Sequence, residues 1–118
     1  MCLSPAWIEE AESLIRPHIY ETPLTWDERL QAFLKWENQQ VTASFKVRGA
    51  LNKVLHLSQA ERAAGLVSAS AGNHGQGVAL AARLVQAQAT IFVPENAVPS
   101  KIEAIQKLGA EVRKVAGG

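Results

Sequence analysis

Cysteine is nearly missing from this chain: Cys2 is the only one. That excludes an intrachain disulfide and any cysteine-based metal site, and the plain reading of Cys2 is a reduced thiol near a terminus. The histidines His18 and His56 have no companions at metal-ligand spacing, and no metal is expected. No apolar stretch approaches the roughly 18–20 residues that cross a bilayer, and the N-terminus lacks the basic-then-apolar layout of a signal peptide. Aromatics are sparse at 6%, and twelve basic side chains nearly balance eleven acidic ones. No basic run interleaves with aromatics, so neither nucleic acid nor membrane is expected as a partner, and the cytoplasm is the expected location.

What remains, 118 residues with 47% hydrophobic content, suits one small globular domain or a piece of a larger one. Ser4-Pro5 reads as a helix N-cap followed by proline at the first helical position. Trp7, Ile8, Ala11, Leu14 and Ile15 then recur at helical spacing until Pro17. Thr22–Leu24 and Ala32–Trp36 read as short extended segments. A second helix is expected with Ser44 as N-cap and an apolar stripe of Val47, Ala50, Leu51, Val54 and Leu55.

From Gly65 the rhythm becomes strand, turn, helix, repeated. Leu66–Ala69, Ala89–Val93 and Glu111–Val115 are the expected strands. The helices between them are marked by Val78, Ala81, Ala82 and Val85, and by Ile102, Ile105 and Leu108 after Pro99. Gly109 supplies a left-handed cap. Such alternation predicts a parallel sheet with right-handed crossovers. A last strand with no following helix predicts a sheet face left poorly covered, although parallel sheets are normally covered on both faces. The expected fold is therefore an incomplete α/β unit.

Two segments carry chemistry. In Thr42-Ala43-Ser44-Phe45-Lys46-Val47-Arg48-Gly49-Ala50, Lys46 stands just inside a helix N-terminus, whose partial positive charge disfavours an ammonium ion. A neutral amine is a nucleophile that captures carbonyl compounds. In Ser70-Ala71-Gly72-Asn73-His74-Gly75-Gln76-Gly77, glycines between a strand and a helix expose consecutive backbone N–H groups, which suit an anion. Read alone, this loop is an ordinary tight turn or a nucleotide-phosphate loop, Lys46 is a surface lysine, and Arg48 is a partner for some carboxylate. His74 reads as a capping residue before a substrate contact or base. No Gly-Lys-Ser/Thr follows, and the glycine spacing does not match the dinucleotide fingerprint.

Read as a pair, the segments resemble the fold-type II pyridoxal-phosphate enzymes, in the branch of threonine/serine dehydratases and serine racemase. The family's Thr-Gly-Ser-Phe-Lys-x-Arg-Gly-Ala is matched at residues 42–50, and its Ser-Ala-Gly-Asn-His-x-Gln-Gly at 70–77. Glu21-Thr22-Pro23-Leu24, Leu34-Lys35, Glu37-Asn38, Val93-Pro94 and Leu108–Val112 extend the likeness. The resemblance implies a partial tryptophan-synthase-beta-like architecture, a parallel sheet with flanking helices lacking the C-terminal half. Residues 1–60 would begin the large cofactor domain, and 61–118 would form most of the small domain.

It further implies that Lys46 holds pyridoxal 5'-phosphate covalently and then acts as base at the substrate Cα. Phe45 would pack near the cofactor ring and Asn73 would hydrogen-bond its phenolic oxygen. The backbone of Ser70, Ala71, Gly72, Asn73 and His74 would hold the substrate carboxylate. The implied substrate is L-threonine or L-serine, dehydrated and deaminated to a 2-oxo acid and ammonia by a homo-oligomeric parent. Racemases carry serine where this chain has Ala71, and alanine moves no proton, so dehydration is expected rather than racemisation. Departures are expected to matter: Ala43 replaces a glycine, the Leu24–Phe33 stretch is short, and the family's chains are more than twice as long. The 118 residues alone are expected to be inactive. A truncated interaction module and a small phosphate-binding α/β module are the alternatives.

Overall fold

Burial alternates along the middle strand of a three-stranded sheet, and that alternation organises the molecule. The structure, a computed structural model, describes residues 4–116; Cys2 lies outside them. Strands β3 (Leu66–Ala69), β4 (Ala89–Pro94) and β5 (Glu111–Val115) run parallel in chain order, with Ser68 opposite Ile91 and Ile91 opposite Val112. On β4, Ala89, Ile91 and Val93 are buried while Thr90, Phe92 and Pro94 are half-buried. The buried set faces α4 (Asn73–Leu84) and α5 (Pro99–Lys107). Two right-handed crossovers that step the same way put both helices on one face. The opposite face carries Val67, 73% exposed, with Ala69, Phe92 and Val115. One face of the parallel sheet is open, as the sequence leads one to expect.

Helix α2 (Lys46–Leu55) packs against α4, with Ala50 in the same buried cluster as Ile91 and Val93. Val47, Ala50, Leu51 and Val54 are buried and Leu55 is partly so, as the stripe predicts. Two glycines let this layering close. A Cβ at Gly77 would stand 3.3 Å from both Ala50 Cβ and Val47 Cα, and one at Gly75 would stand 2.6 Å from the Ser70 carbonyl oxygen. Close approach of backbone explains why a glycine-rich stretch stays helical despite its intrinsic cost.

Several boundaries depart from the sequence pattern. Asn73–Gly77 are helical, so the loop after β3 is only Ser70–Gly72. Helix α2 begins at Lys46, flanked by Phe45, yet Ser44 Oγ still accepts the Lys46 N–H at 3.3 Å. The extended segments form an antiparallel hairpin, β1 (Leu24–Asp27) and β2 (Ala32–Lys35), pinned by a Trp26–Phe33 edge-to-face contact. Helix α1 (Pro5–Ile15) buries only Ile15 of its stripe; Trp7 and Ile8 stay exposed, because only Ile15 reaches the Val47–Leu51–Ala81 cluster. A five-residue helix, α3 (Gln59–Ala63), has no counterpart in the hydrophobic pattern; a capping box between Ser58 and Glu61 starts it.

Candidate active site

The two motifs meet through the α2–α4 contact. A Cβ at Gly77 would lie 3.4 Å from the Lys46 carbonyl carbon, so the first residue of α2 rests on the second turn of α4. Asn73 stands one turn before Gly77 on the same side of α4. The main chain of Lys46 is thereby placed beside the head of the helix that the Ser70–Gly72 loop introduces.

Lys46 is exposed at residue level, with its Nζ 4.7 Å from the Phe45 ring centroid; no carboxylate among the described residues pairs with it. Phe45 is 56% exposed, so its ring stands at the surface beneath the amine rather than in the core. Asn73 and His74 are exposed, while Ser70, Ala71 and Gly72 are half-buried.

Within the loop, Ser70 Oγ accepts the Gly72 N–H at 3.3 Å, and the Gly72 carbonyl receives the Gln76 N–H. The Ala71, Asn73 and His74 N–H groups make no such bonds among the described residues. They sit at the positive end of a twelve-residue helix, an arrangement that favours an anion. At Gly72 there is room for a Cβ, whose nearest neighbour would be Lys101 Nζ at an ordinary 3.7 Å.

His74 turns elsewhere. It lines a cleft of about 460 Å³ together with Lys53, Glu61 and Ser68, and neither Lys46 nor Asn73 lines that cleft. His56 pairs with Glu10 at 3.7 Å and sits over the Asn52 carbonyl; His18 is half-buried. Among the described residues no group of three or more His, Cys, Asp or Glu could hold a metal ion, and no helix is long and apolar enough to cross a membrane.

The polar framework before Lys46 is the part that sequence reasoning leaves open. Arg48 forks onto Glu37, Nε to Oε2 and Nη2 to Oε1, both at 2.8 Å. That guanidinium holds the Glu37 carboxyl down at about 2, against burial, with Thr22 donating to the same carboxylate. Glu37 in turn raises Arg48 above its ordinary value. The chain between them passes through Ala43 at φ 53, the left-handed conformation that the family's glycine there would adopt without strain.

Comparison with known proteins bears on the family and the fold. The family described as "Pyridoxal-phosphate dependent enzyme" matches residues 15–118. A catabolic L-threonine dehydratase of Staphylococcus aureus is 47% identical over 112 residues, covering 89% of this chain and 32% of that protein. A maize serine racemase structure superposes with a TM-score of 0.92 at 31% identity, over 100% of this chain and 38% of its own. The processed form of threonine deaminase isoform 2 from Solanum lycopersicum gives 0.83 at 32% identity, over 98% of this chain and 35% of its own. The chain thus spans about a third of the length of the curated relatives it matches, corresponding to their N-terminal part. With its fold, its lysine-bearing motif and a family match reaching from residue 15 to residue 118, the chain belongs to the pyridoxal-phosphate dependent enzymes of fold type II.

Proposed function

We propose that these residues are the lysine-bearing part of a threonine/serine dehydratase, which removes water from a β-hydroxy amino acid and releases a 2-oxo acid and ammonia. One observation carries the reading: the backbone of Lys46 lies against α4 at Gly77, one turn from Asn73 and the Ser70–Gly72 loop. The residues present fit one end of pyridoxal phosphate. They offer an exposed primary amine without a carboxylate partner among the described residues, an exposed carboxamide, and N–H groups at a helix head that bond no described residue.

When bound, the cofactor supplies an electron sink for the charge left at the substrate Cα. Lys46 Nζ would hold the cofactor through its aldehyde group and would serve as the base at the substrate Cα. Asn73 would hold the phenolic oxygen of the ring through its carboxamide. The N–H groups of Ala71, Asn73 and His74 hold the substrate carboxylate, with the α4 dipole reinforcing them. Phe45 would pack near the cofactor ring. Ala71 has no side-chain proton to deliver, so proton return to the opposite face of Cα has no agent at that position, which favours elimination over racemisation. L-Threonine would yield 2-oxobutanoate and L-serine pyruvate. On this reading the full protein is a cytoplasmic homo-oligomer, and these 118 residues are inactive alone.

The test uses the full gene product loaded with cofactor. Release of 2-oxobutanoate from L-threonine is expected, with loss of at least about a thousandfold in Lys46→Ala. A Lys46→Ala protein that keeps its rate refutes the assignment.

A second reading, a non-catalytic interaction module, is favoured by the open sheet face around Val67 and Phe92. Sedimentation of the 118-residue chain separates the two: a well-folded monomer that binds nothing counts against the module.

A further inference from the structure

What fixes the place of Lys46 is its main chain, since its amine lies over the exposed Phe45 ring and makes no hydrogen bond or ion pair among the described residues. The stretch leading to it is unusual. Gln40, Thr42 and Ser44 are all buried, at alternate positions. Gln40 brackets the main chain of Tyr20: its Oε1 accepts the Tyr20 N–H at 2.8 Å and its Nε2 donates to the Tyr20 carbonyl at 2.9 Å. Thr22, 3% exposed, donates to Glu37 at 2.5 Å, and its carbonyl accepts from Lys35 Nζ at 2.6 Å. Residues 20–22 and 37–40 are therefore laced together as one base.

From that base to the helix, local bonds are few. Ala43 donates its N–H to the Gln40 carbonyl at 2.7 Å, Ser44 caps Lys46, and the buried Thr42 hydroxyl has no partner among the described residues. The bond that ties the helix back to the base is the Arg48–Glu37 fork. Its side chains are 31% and 16% exposed, and its two-point geometry resists rotation as a single-point lysine contact does not. Arg48 is two residues beyond Lys46, so the two side chains leave the helix roughly 200° apart. Arg48 acts through the backbone.

We propose that Arg48 and Glu37 are positioning residues for Lys46: their bidentate pair closes the segment 38–47 and sets the angle at which the first turn of α2 presents the lysine amine beside α4. The proposal rests on Lys46 being the cofactor lysine. With the fork broken, the Gln40–Phe45 segment is free to pivot about the left-handed Ala43. The amine is then displaced while Val47 and Leu51 still hold the rest of α2 in the core.

The experiment exposes the full gene product, stripped of cofactor, briefly to pyridoxal 5'-phosphate, quenches with borohydride, and measures adduct at each lysine by peptide mass spectrometry. Thermal melting is followed in parallel. In Arg48→Met and Glu37→Gln, capture at Lys46 is expected to fall roughly tenfold to a hundredfold, the scale of a displacement near 1 Å. Capture at the exposed Lys107 and Lys114 should not change, and Arg48→Lys should recover part of the loss. A wild-type capture rate at Lys46 in Arg48→Met, even with a lower melting temperature, overturns the positioning role and leaves a merely structural pair. Should Arg48→Met fail to fold, Arg48→Lys decides alone: slowed capture supports the proposal and an unchanged rate overturns it. If wild-type protein shows no preference for Lys46 over the surface lysines, the cofactor reading itself falls and the positioning role with it.

Discussion

Replacing Ala43 by glycine should make this protein more stable, although it removes a methyl group and adds freedom to the unfolded chain. Ala43 holds φ 53, where a Cβ crowds the following carbonyl at a cost of about 1–2 kcal/mol. Glycine carries no such cost, but its looser unfolded state returns about 0.4–1 kcal/mol. The net expectation for Ala43→Gly is a gain of about 0.5–1 kcal/mol. For a chain of this size that corresponds to a melting temperature higher by about 2–5 °C. Urea unfolding followed by circular dichroism provides the second measure, with a raised midpoint at unchanged m-value. Gly109→Ala supplies the converse. Gly109 sits at φ +92, and a Cβ added there would have nothing within 4 Å, so the substitution isolates the backbone contribution and should destabilise by about 1 kcal/mol or more. If Ala43→Gly instead lowers the midpoint at constant m, the left-handed turn before Lys46 is not strained and the reasoning fails.

Acid should weaken the protein through Glu37. Its carboxyl is held at about 2 against an ordinary 4.5, so its contribution is complete above pH 4.5 and is lost as pH falls toward 2. The shift corresponds to about 3 kcal/mol, reduced to about 2 by the partial exposure of Arg48. Glu37→Gln should forfeit that amount at neutral pH and flatten the stability curve between pH 4.5 and 2, as read from denaturant midpoints; an unchanged acid limb contradicts the pairing. Gly75→Ala should cost about 3 kcal/mol or more, because its Cβ would stand 2.6 Å from the Ser70 carbonyl oxygen and 3.0 Å from Ile105. Gly49→Ala, in the helix interior with nothing within 4 Å, should gain up to about 1 kcal/mol in the same denaturant assay. Equal effects at the two glycines would contradict the packing described for α4.

The features legible in the sequence are those set by local pattern. Strand, helix and strand alternate from Leu66 to Val115 with spacing that leaves little choice, and Gly109 marks its helix end at φ +92. The stripe of α2 is equally plain, since Val47, Ala50, Leu51 and Val54 fall on one side and are buried. Where tertiary contact overrides local preference, the pattern misleads. Asn73–Gly77 reads as loop because of its glycines, yet it is helical, with Gly75 pressed on the Ser70 carbonyl and Gly77 on α2. The stripe of α1 reads as a core face, yet only Ile15 finds a partner surface among the described residues. Helix α3 is too short to show a period, and the Ser58–Glu61 capping box is its available signal.

The candidate site divides in the same way. Lys46 and the Ser70–His74 stretch stand out by residue type, but their adjacency depends on Gly77, which looks like a loop residue in sequence. The strain at Ala43 follows from the glycine it replaces. Glu37 as the partner of Arg48 lies eleven positions away, across a left-handed turn. No periodicity encodes such a contact; the bracket of Gln40 on Tyr20 and the bond from Thr22 bring it about.

The most direct measurement locates the covalent adduct in the full gene product after it has been loaded with pyridoxal phosphate and reduced. A single modified peptide containing Lys46, lost in Lys46→Ala, is expected. Modification confined to another lysine contradicts the central assignment.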